Sequence, residues 1–185
     1  MGMATLVPLA ADDFLRLHGD ESGIELIDGE IRRFPMPGLE HGEICGNIYY
    51  HLREVVKRNR LGRVMTNDPF VRTRTNPDGC RGADVLYVSY DTYAADLPTP
   101  KGAISPPLEL VVEVRSPRDS DIDLANKTNE YLAAGVRVVM VVDPETRSAG
   151  VFRSGELPQR FANGDVVTLP DILPGFAVPI AEFFA

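Results

Sequence analysis

Glu113 interrupts the Val- and Leu-rich run Leu108-Glu-Leu-Val-Val-Glu-Val114, and Asp84 stands at the mouth of a second, Ala83-Asp-Val-Leu-Tyr-Val88. Both runs read as buried strands, and a carboxylate left unpaired in such a strand costs several kcal/mol. Something must compensate it. Two carboxylates on neighbouring strands form an oxygen-donor site suited to a hard cation. Lys127 follows on the next helix. Two acids and a lysine on a strand–strand–helix frame are the equipment of metal-assisted phosphodiester hydrolysis.

Each residue also has a plainer reading. Alternate side chains share a strand face, so Glu109, Val111, Glu113 and Arg115 point one way and Leu110, Val112 and Val114 the other. Glu113 is therefore expected beside Arg115, and a structural Glu113–Arg115 or Glu113–Lys127 ion pair would account for the acid alone. On the following helix, Leu124, Thr128, Tyr131 and Leu132 define a core face with Lys127 at its edge, where the stem can be buried and the ammonium brought to the sheet. The alternative for Lys127 is an i,i+4 pair with Asp123, worth a few tenths of a kcal/mol.

The elements that position these residues follow from pattern. Residues 9–18 read as a short helix ending near Gly19. Ile24 to Arg33 is a hairpin, with Asp28-Gly29 favouring a type I′ turn between alternating apolar positions. Residues 40–59 carry Ile44, Ile48, Leu52, Val55 and Val56 at helical spacing. Gly62–Thr66 and Asp68–Thr73 suggest strands, and the turn Asn76-Pro-Asp-Gly79 leads into the Asp84 strand. A proline-rich connection (Pro98, Pro100, Pro106, Pro107) reaches the Glu113 strand. A helix over 121–134, stopped by Gly135, and a buried strand over 137–142 complete a right-handed strand–helix–strand unit. Residues 149–153 and 165–169 are expected to finish the sheet, with the apolar tail from Leu173 packed against it. The expected class is α/β, more closely mixed α+β: one domain over 1–185 with a central mixed sheet flanked by helices and an N-terminal hairpin extension.

Composition sets bounds. The 185 residues are 44% hydrophobic and 25% charged, an ordinary globular balance. The longest apolar runs, such as Val138–Val142, are far short of a membrane span, and the N-terminus lacks the pattern of a signal peptide. Cys45 and Cys80 are too few for a disulfide framework, so a cytoplasmic location with free thiols is expected. The net charge of −8 excludes a protein that coats nucleic acid. It leaves room for a local basic cleft, because Arg53, Lys57, Arg58, Arg60, Arg63, Arg72, Arg74 and Arg81 cluster in one stretch. Arg115-Ser-Pro-Arg-Asp119 is no glycine-rich dinucleotide loop, which removes a Rossmann-type enzyme.

The stretches Glu25-Leu-Ile-Asp-Gly-Glu30, Ala83-Asp-Val-Leu-Tyr-Val88, Leu110-Val-Val-Glu-Val-Arg-Ser-Pro117, Asp123-Leu-Ala-Asn-Lys127 with Tyr131, Ala134-Gly-Val136 and Val142-Asp-Pro144 resemble the Uma2 family of the PD-(D/E)xK restriction-endonuclease-like superfamily. The resemblance spans nearly the whole chain and rests on the order and spacing of these motifs. It implies a restriction-endonuclease-like core and a divalent-metal nuclease. Asp84 matches the aspartate of the Pro-Asp motif and Glu113 the acid of (D/E)xK. The motif's lysine position holds Arg115, and Lys127 matches the lysine supplied from the following helix. Glu25 and His41 match further recurrent polar positions.

The resemblance implies that Asp84 and Glu113, with the Val114 carbonyl, hold Mg²⁺ or Mn²⁺, while Lys127 orients the attacking water or stabilises the transition state. His41 and Arg115 are candidate phosphate contacts or auxiliary groups, as is Glu25. Tyr131 reads as core, and His18 and His51 have no role. Two departures stand out. Ala83 replaces the usual proline, and Arg115 could either hold a phosphate or neutralise Glu113. The expectation is an endonuclease acting on nucleic acid, DNA before RNA, with a homodimer allowed by the apolar tail. A nuclease-fold domain that binds without cutting is the competing expectation.

Overall fold

The computed structural model of the chain describes residues 7–185. The helix α1 (Ala11–His18) precedes a hairpin of β1 (Ile24–Ile27) and β2 (Glu30–Arg33), then the long helix α2 (Leu39–Asn59). The hairpin turns as its sequence predicts, with Asp28 and Gly29 both at positive φ, 52° and 76°. There follow β3 (Gly62–Thr66), β4 (Phe70–Arg74), β5 (Gly79–Gly82), β6 (Val85–Ser89) and β7 (Leu108–Val114). The chain continues through α3 (Asp121–Ala134), β8 (Val136–Asp143), β9 (Ser148–Phe152), β10 (Gln159–Phe161), β11 (Val166–Thr168) and β12 (Ala177–Pro179), and closes with a 3-10 turn over Ile180–Phe184.

The strands form two principal sheets. Six of them run in the order β10-β9-β8-β7-β6-β3, and four in the order β2-β1-β5-β4. In the larger sheet only β7 and β8 are parallel, joined through α3 as the strand–helix–strand pattern requires. The sheet is therefore mixed. All seven residues of β7 are buried. Leu110, Val112 and Val114 pack with the α2 stripe of Ile44, Ile48, Leu52 and Val56, whereas Val111 packs with Tyr131 of α3. The alternation read from sequence thus places one helix on each face of the central sheet.

Two sequence expectations are corrected. The strand that follows the Asn76–Gly79 turn is not the Asp84 strand but β5, which pairs with β1 and β4 in the smaller sheet. Residues 165–169 do not extend the main sheet: β11 pairs only with β12, and β10 takes the edge instead. The tail packs inward as its sequence suggested, with Phe176, Val178, Ile180 and Phe183 buried in the core that also holds the α2 stripe. No helix among the described residues is long and apolar enough to cross a membrane.

Candidate active site

Asp84 sits where the backbone leaves one sheet and enters the other, between β5 and β6. The β6–β7 ladder begins at Val85↔Val112, so the Val114 amide lies past the last β7 residue that β6 partners. Asp84 Oδ2 accepts from that amide at 2.6 Å. The carboxylate thus closes the ladder and is fixed beside the end of β7, one residue from Glu113. Ala83, which replaces the usual proline, is fully buried, and the carboxylate is delivered without it.

Glu113 points toward α3. Ser120 caps that helix, its Oγ accepting from the Asp123 amide at 3.1 Å, and Gly135 ends it at φ 109°. The helix carries Lys127 to the sheet, where Nζ donates to Glu113 Oε2 at 2.7 Å and to the Gly82 carbonyl at 2.9 Å. Nζ is also 3.0 Å from Glu25 Oε1. The Lys127–Asp123 alternative does not form, since Asp123 Oδ2 accepts from the Ser120 hydroxyl. Burial works against the Lys127 charge, but Glu113 and Glu25 outweigh it and hold the ammonium protonated well above its usual range.

Two buried acids on β7 make an instructive contrast. Glu109 is fully engaged, accepting from the Ser89 amide at 2.7 Å, the Ser89 hydroxyl at 2.9 Å and the Thr92 hydroxyl at 2.5 Å. Glu113 has only Lys127 on Oε2, and its Oε1 is buried with no partner among the described residues. Native structures leave few buried polar atoms unpaired, and each one needs a reason. Burial pushes the Glu113 carboxyl up to about 8, Lys127 opposing the rise and Asp84 and Glu25 adding to it.

The surroundings share the charge imbalance. Arg81 is buried and reaches Glu25 at 2.9 Å and Glu130 at 2.5 Å. With all ionised, the carboxylates of Glu25, Asp84, Glu113 and Glu130 face only two fixed cations, Arg81 and Lys127, an excess of two negative charges. Asp68 lines the same cleft, and its carboxyl is pushed up by burial and by Asp84. The cleft has a volume of about 480 Å³. An orphaned carboxylate oxygen and a surplus of two charges in an oxygen-rich cleft fit a divalent cation.

His41, from the first turn of α2, faces the same place. Its Nε2 lies 3.0 Å from the Val114 carbonyl and 3.3 Å from Asp84 Oδ2, and Nδ1 lies 3.5 Å from Cys45 Sγ. Burial disfavours the imidazolium, but Asp84 and the Val114 carbonyl more than offset this and raise its pKa. His41, Cys45 and Asp84 are mutually close enough to ligate one ion. Burial and the neighbouring carboxylates hold the Cys45 thiol far above its usual range, and a soft sulfur ligand does not suit a hard cation such as Mg²⁺.

Asp84, Glu113, Lys127, Glu25 and His41 therefore converge as their sequence positions suggested. Arg115 does not join them. Its guanidinium pairs with Asp121 at 2.8 Å and Asp143 at 3.5 Å, because β7 ends at Val114 and strand alternation no longer fixes the next side chain. The expected juxtaposition of Arg115 with Glu113 is corrected accordingly. Tyr131 is core, fully buried with its hydroxyl donating to the Gly82 carbonyl at 3.2 Å. His18 pairs with Glu21, and of the two only Glu21 lines the cleft.

Sequence reasoning missed Arg81, Glu130 and Asp68. Glu130 had a signal, since it stands three residues after Lys127 and shares its helix face.

A mixed sheet with one acid at a strand-to-strand break, a second on the adjoining strand and a lysine from the crossover helix defines a restriction-endonuclease-like nuclease fold. The family described as "Uma2: Putative restriction endonuclease" matches residues 11–181, and the chain belongs to that family. The fold is similar to that of a protein from Anabaena variabilis ATCC 29413, whose crystal structure is described as a putative nuclease belonging to DUF820. The two are 21% identical, with a TM-score of 0.79 over 96% of this chain and 98% of the other. No curated protein matches the chain.

Proposed function

We propose that the chain is a divalent-metal-dependent endonuclease that hydrolyses phosphodiester bonds in nucleic acid, DNA being the substrate to test first. One observation carries the reading: Glu113, a buried carboxylate with an unpartnered oxygen, lies beside Asp84 and under the Lys127 ammonium. The other acid on the same strand, Glu109, is fully hydrogen-bonded. Asp84 and Glu113 would hold Mg²⁺ or Mn²⁺, with the Val114 carbonyl as a third oxygen. When bound, such an ion lowers the pKa of a coordinated water and offsets charge on the phosphorane oxygens.

The protein's own groups have separable tasks. Lys127 stays an ammonium because Glu113 and Glu25 surround it, so it acts as a positive charge and hydrogen-bond donor and not as a general base. Glu25, held by Arg81 and the Gly82 amide, gives the ammonium a second carboxylate partner beside Glu113. His41 braces Asp84 and the Val114 carbonyl, which retains a second lone pair.

The reading is tested by incubating plasmid and branched DNA with Mn²⁺ and comparing the native chain with Asp84→Ala and Glu113→Ala. Cleavage by the native chain and loss in both variants are expected. Cleavage that survives both substitutions overturns the site assignment. An absence of both cleavage and Mn²⁺ binding by calorimetry would favour a domain that binds nucleic acid without cutting it.

A further inference from the structure

The basic cluster in the sequence is not absorbed by the catalytic cleft. Part of it lines a second cleft of about 480 Å³ at the far end of α2, formed by Arg53, Lys57, Arg60, Arg63 and Tyr90. His41 is on the first turn of α2 and Lys57 on its last, so at 1.5 Å per residue the two sites are about 24 Å apart along the helix. No acidic residue lines this second cleft. The nearby Glu54 is engaged by Arg58.

Arg63 is fixed, not merely present. Its Nη2 donates to the Ala95 and Leu97 carbonyls at 3.0 and 2.5 Å, and its guanidinium lies 5.8 and 5.2 Å from the Tyr90 and Tyr93 ring centres. Nη1 is buried with no partner among the described residues. Arg53 lies 5.8 Å from the Tyr49 ring. An anchored guanidinium with three further cations on one cleft wall and no acid among the lining residues is a site for an anion. Guanidinium forks match phosphate oxygens bidentately, and tyrosines beside them offer faces on which bases stack. On a chain of net charge −8, a focal cationic cleft is where a polyanion can approach.

We infer that this cleft binds phosphates of the nucleic-acid backbone, as an anchoring site separate from the catalytic cleft. The inference rests on nucleic acid being the substrate. At 3.4 Å per base pair, the separation corresponds to about 7 base pairs of duplex.

The test is binding in EDTA, so that cleavage plays no part. A fluorescent 20-base-pair duplex is titrated at several salt concentrations with the native chain, with the triple variant Arg53→Gln/Lys57→Gln/Arg60→Asn, and with a control triple Arg16→Gln/Arg147→Gln/Arg160→Gln. Asparagine is chosen at position 60 because Arg60 has φ 54° and Asn tolerates that region. All three cleft residues replaced are exposed, and thermal melts verify that the fold is retained.

The cleft variant is expected to lose roughly ten-fold or more in affinity at low salt, with the slope of log K against log salt reduced by about 3. The control triple keeps both. An unchanged slope in the cleft variant, or equal losses in the two triples, overturns the proposal. So does competition by polyglutamate or by phosphatidylserine vesicles as strong as that by unlabelled duplex, which would assign the cleft to an acidic protein or a membrane surface. Failure here leaves the cleavage assay above untouched, and failure of that assay leaves this binding measurement readable.

Discussion

Replacing Glu113 by glutamine should stabilise the protein at alkaline pH while removing its affinity for metal. The Glu113 carboxyl is raised by burial from an ordinary 4.5 to about 8. Below pH 4.5 it is protonated in both the folded and unfolded states. As pH rises from 4.5 to 8 the unfolded chain ionises first, the folded chain binds the extra proton, and stability falls. The full difference is at most about 5 kcal/mol at about 1.4 kcal/mol per pKa unit. Glutamine has the same shape and no charge, and the Lys127 attraction is already contained in that difference, so we expect a net gain of about 4 kcal/mol at most at pH 8. At pH 5 the variant should be no more stable than the native chain.

Urea unfolding in EDTA at pH 5, 6.5 and 8 reads this directly. Repeating the pH 8 series with Mn²⁺ should stabilise the native chain by about 2.7 kcal/mol at a hundred-fold excess over Kd. The Glu113→Gln variant should not respond. A stability difference that does not change with pH would refute the reasoning, as would equal stabilisation of both proteins by Mn²⁺.

Other substitutions probe the same network. Lys127→Met leaves Glu113 and Glu25 without their shared cation and should cost about 3–5 kcal/mol in urea unfolding at pH 8, with cleavage lost; adding Glu113→Gln to it should recover part of the stability. Arg81→Met strips Glu25 and Glu130 of their partner and should cost a similar 3–5 kcal/mol, whereas a change within 0.5 kcal/mol would show that the buried pairing is not structural. His41 has a raised pKa set against burial chiefly by Asp84, so its contribution is fully present below pH 6.5 and lost as pH rises through the raised folded value. The stability deficit of His41→Gln should therefore be largest below pH 6.5 and shrink above it, and a constant deficit would contradict the pairing.

The site was legible because its residues break the local pattern. Buried acids in the Val- and Leu-rich β7 and another at the mouth of β6 violate burial rules, and such violations gather where function is carried. The crossover helix also followed from spacing, since Gly135 stops it, while the Ser120 cap is seen in the structure alone. What escaped the sequence lies in the smaller sheet. Gly79-Cys-Arg-Gly82 has no β-branched residue and two glycines, so β5 carries no strand signal of its own. Yet β5 brings Arg81 against Glu25 and Glu130 and leads the chain to Asp84. Arg115 was misplaced for the opposite reason: alternation was extended one residue beyond the end of its strand. The sequence pattern makes Asp68 the first residue of a strand over 68–73, but β4 begins at Phe70 and Asp68 sits at φ 53° in the connection before it, where strand alternation does not locate a side chain.

The most direct test is anomalous diffraction from a crystal soaked in Mn²⁺ at pH 8. The expected result is a single strong peak liganded by Asp84 and Glu113, with Glu113 Oε1 no longer unpartnered. A peak held by His41, Cys45 and Asp84 without Glu113, or no peak in the cleft at saturating Mn²⁺, would contradict the assignment of Glu113 as a metal-holding carboxylate.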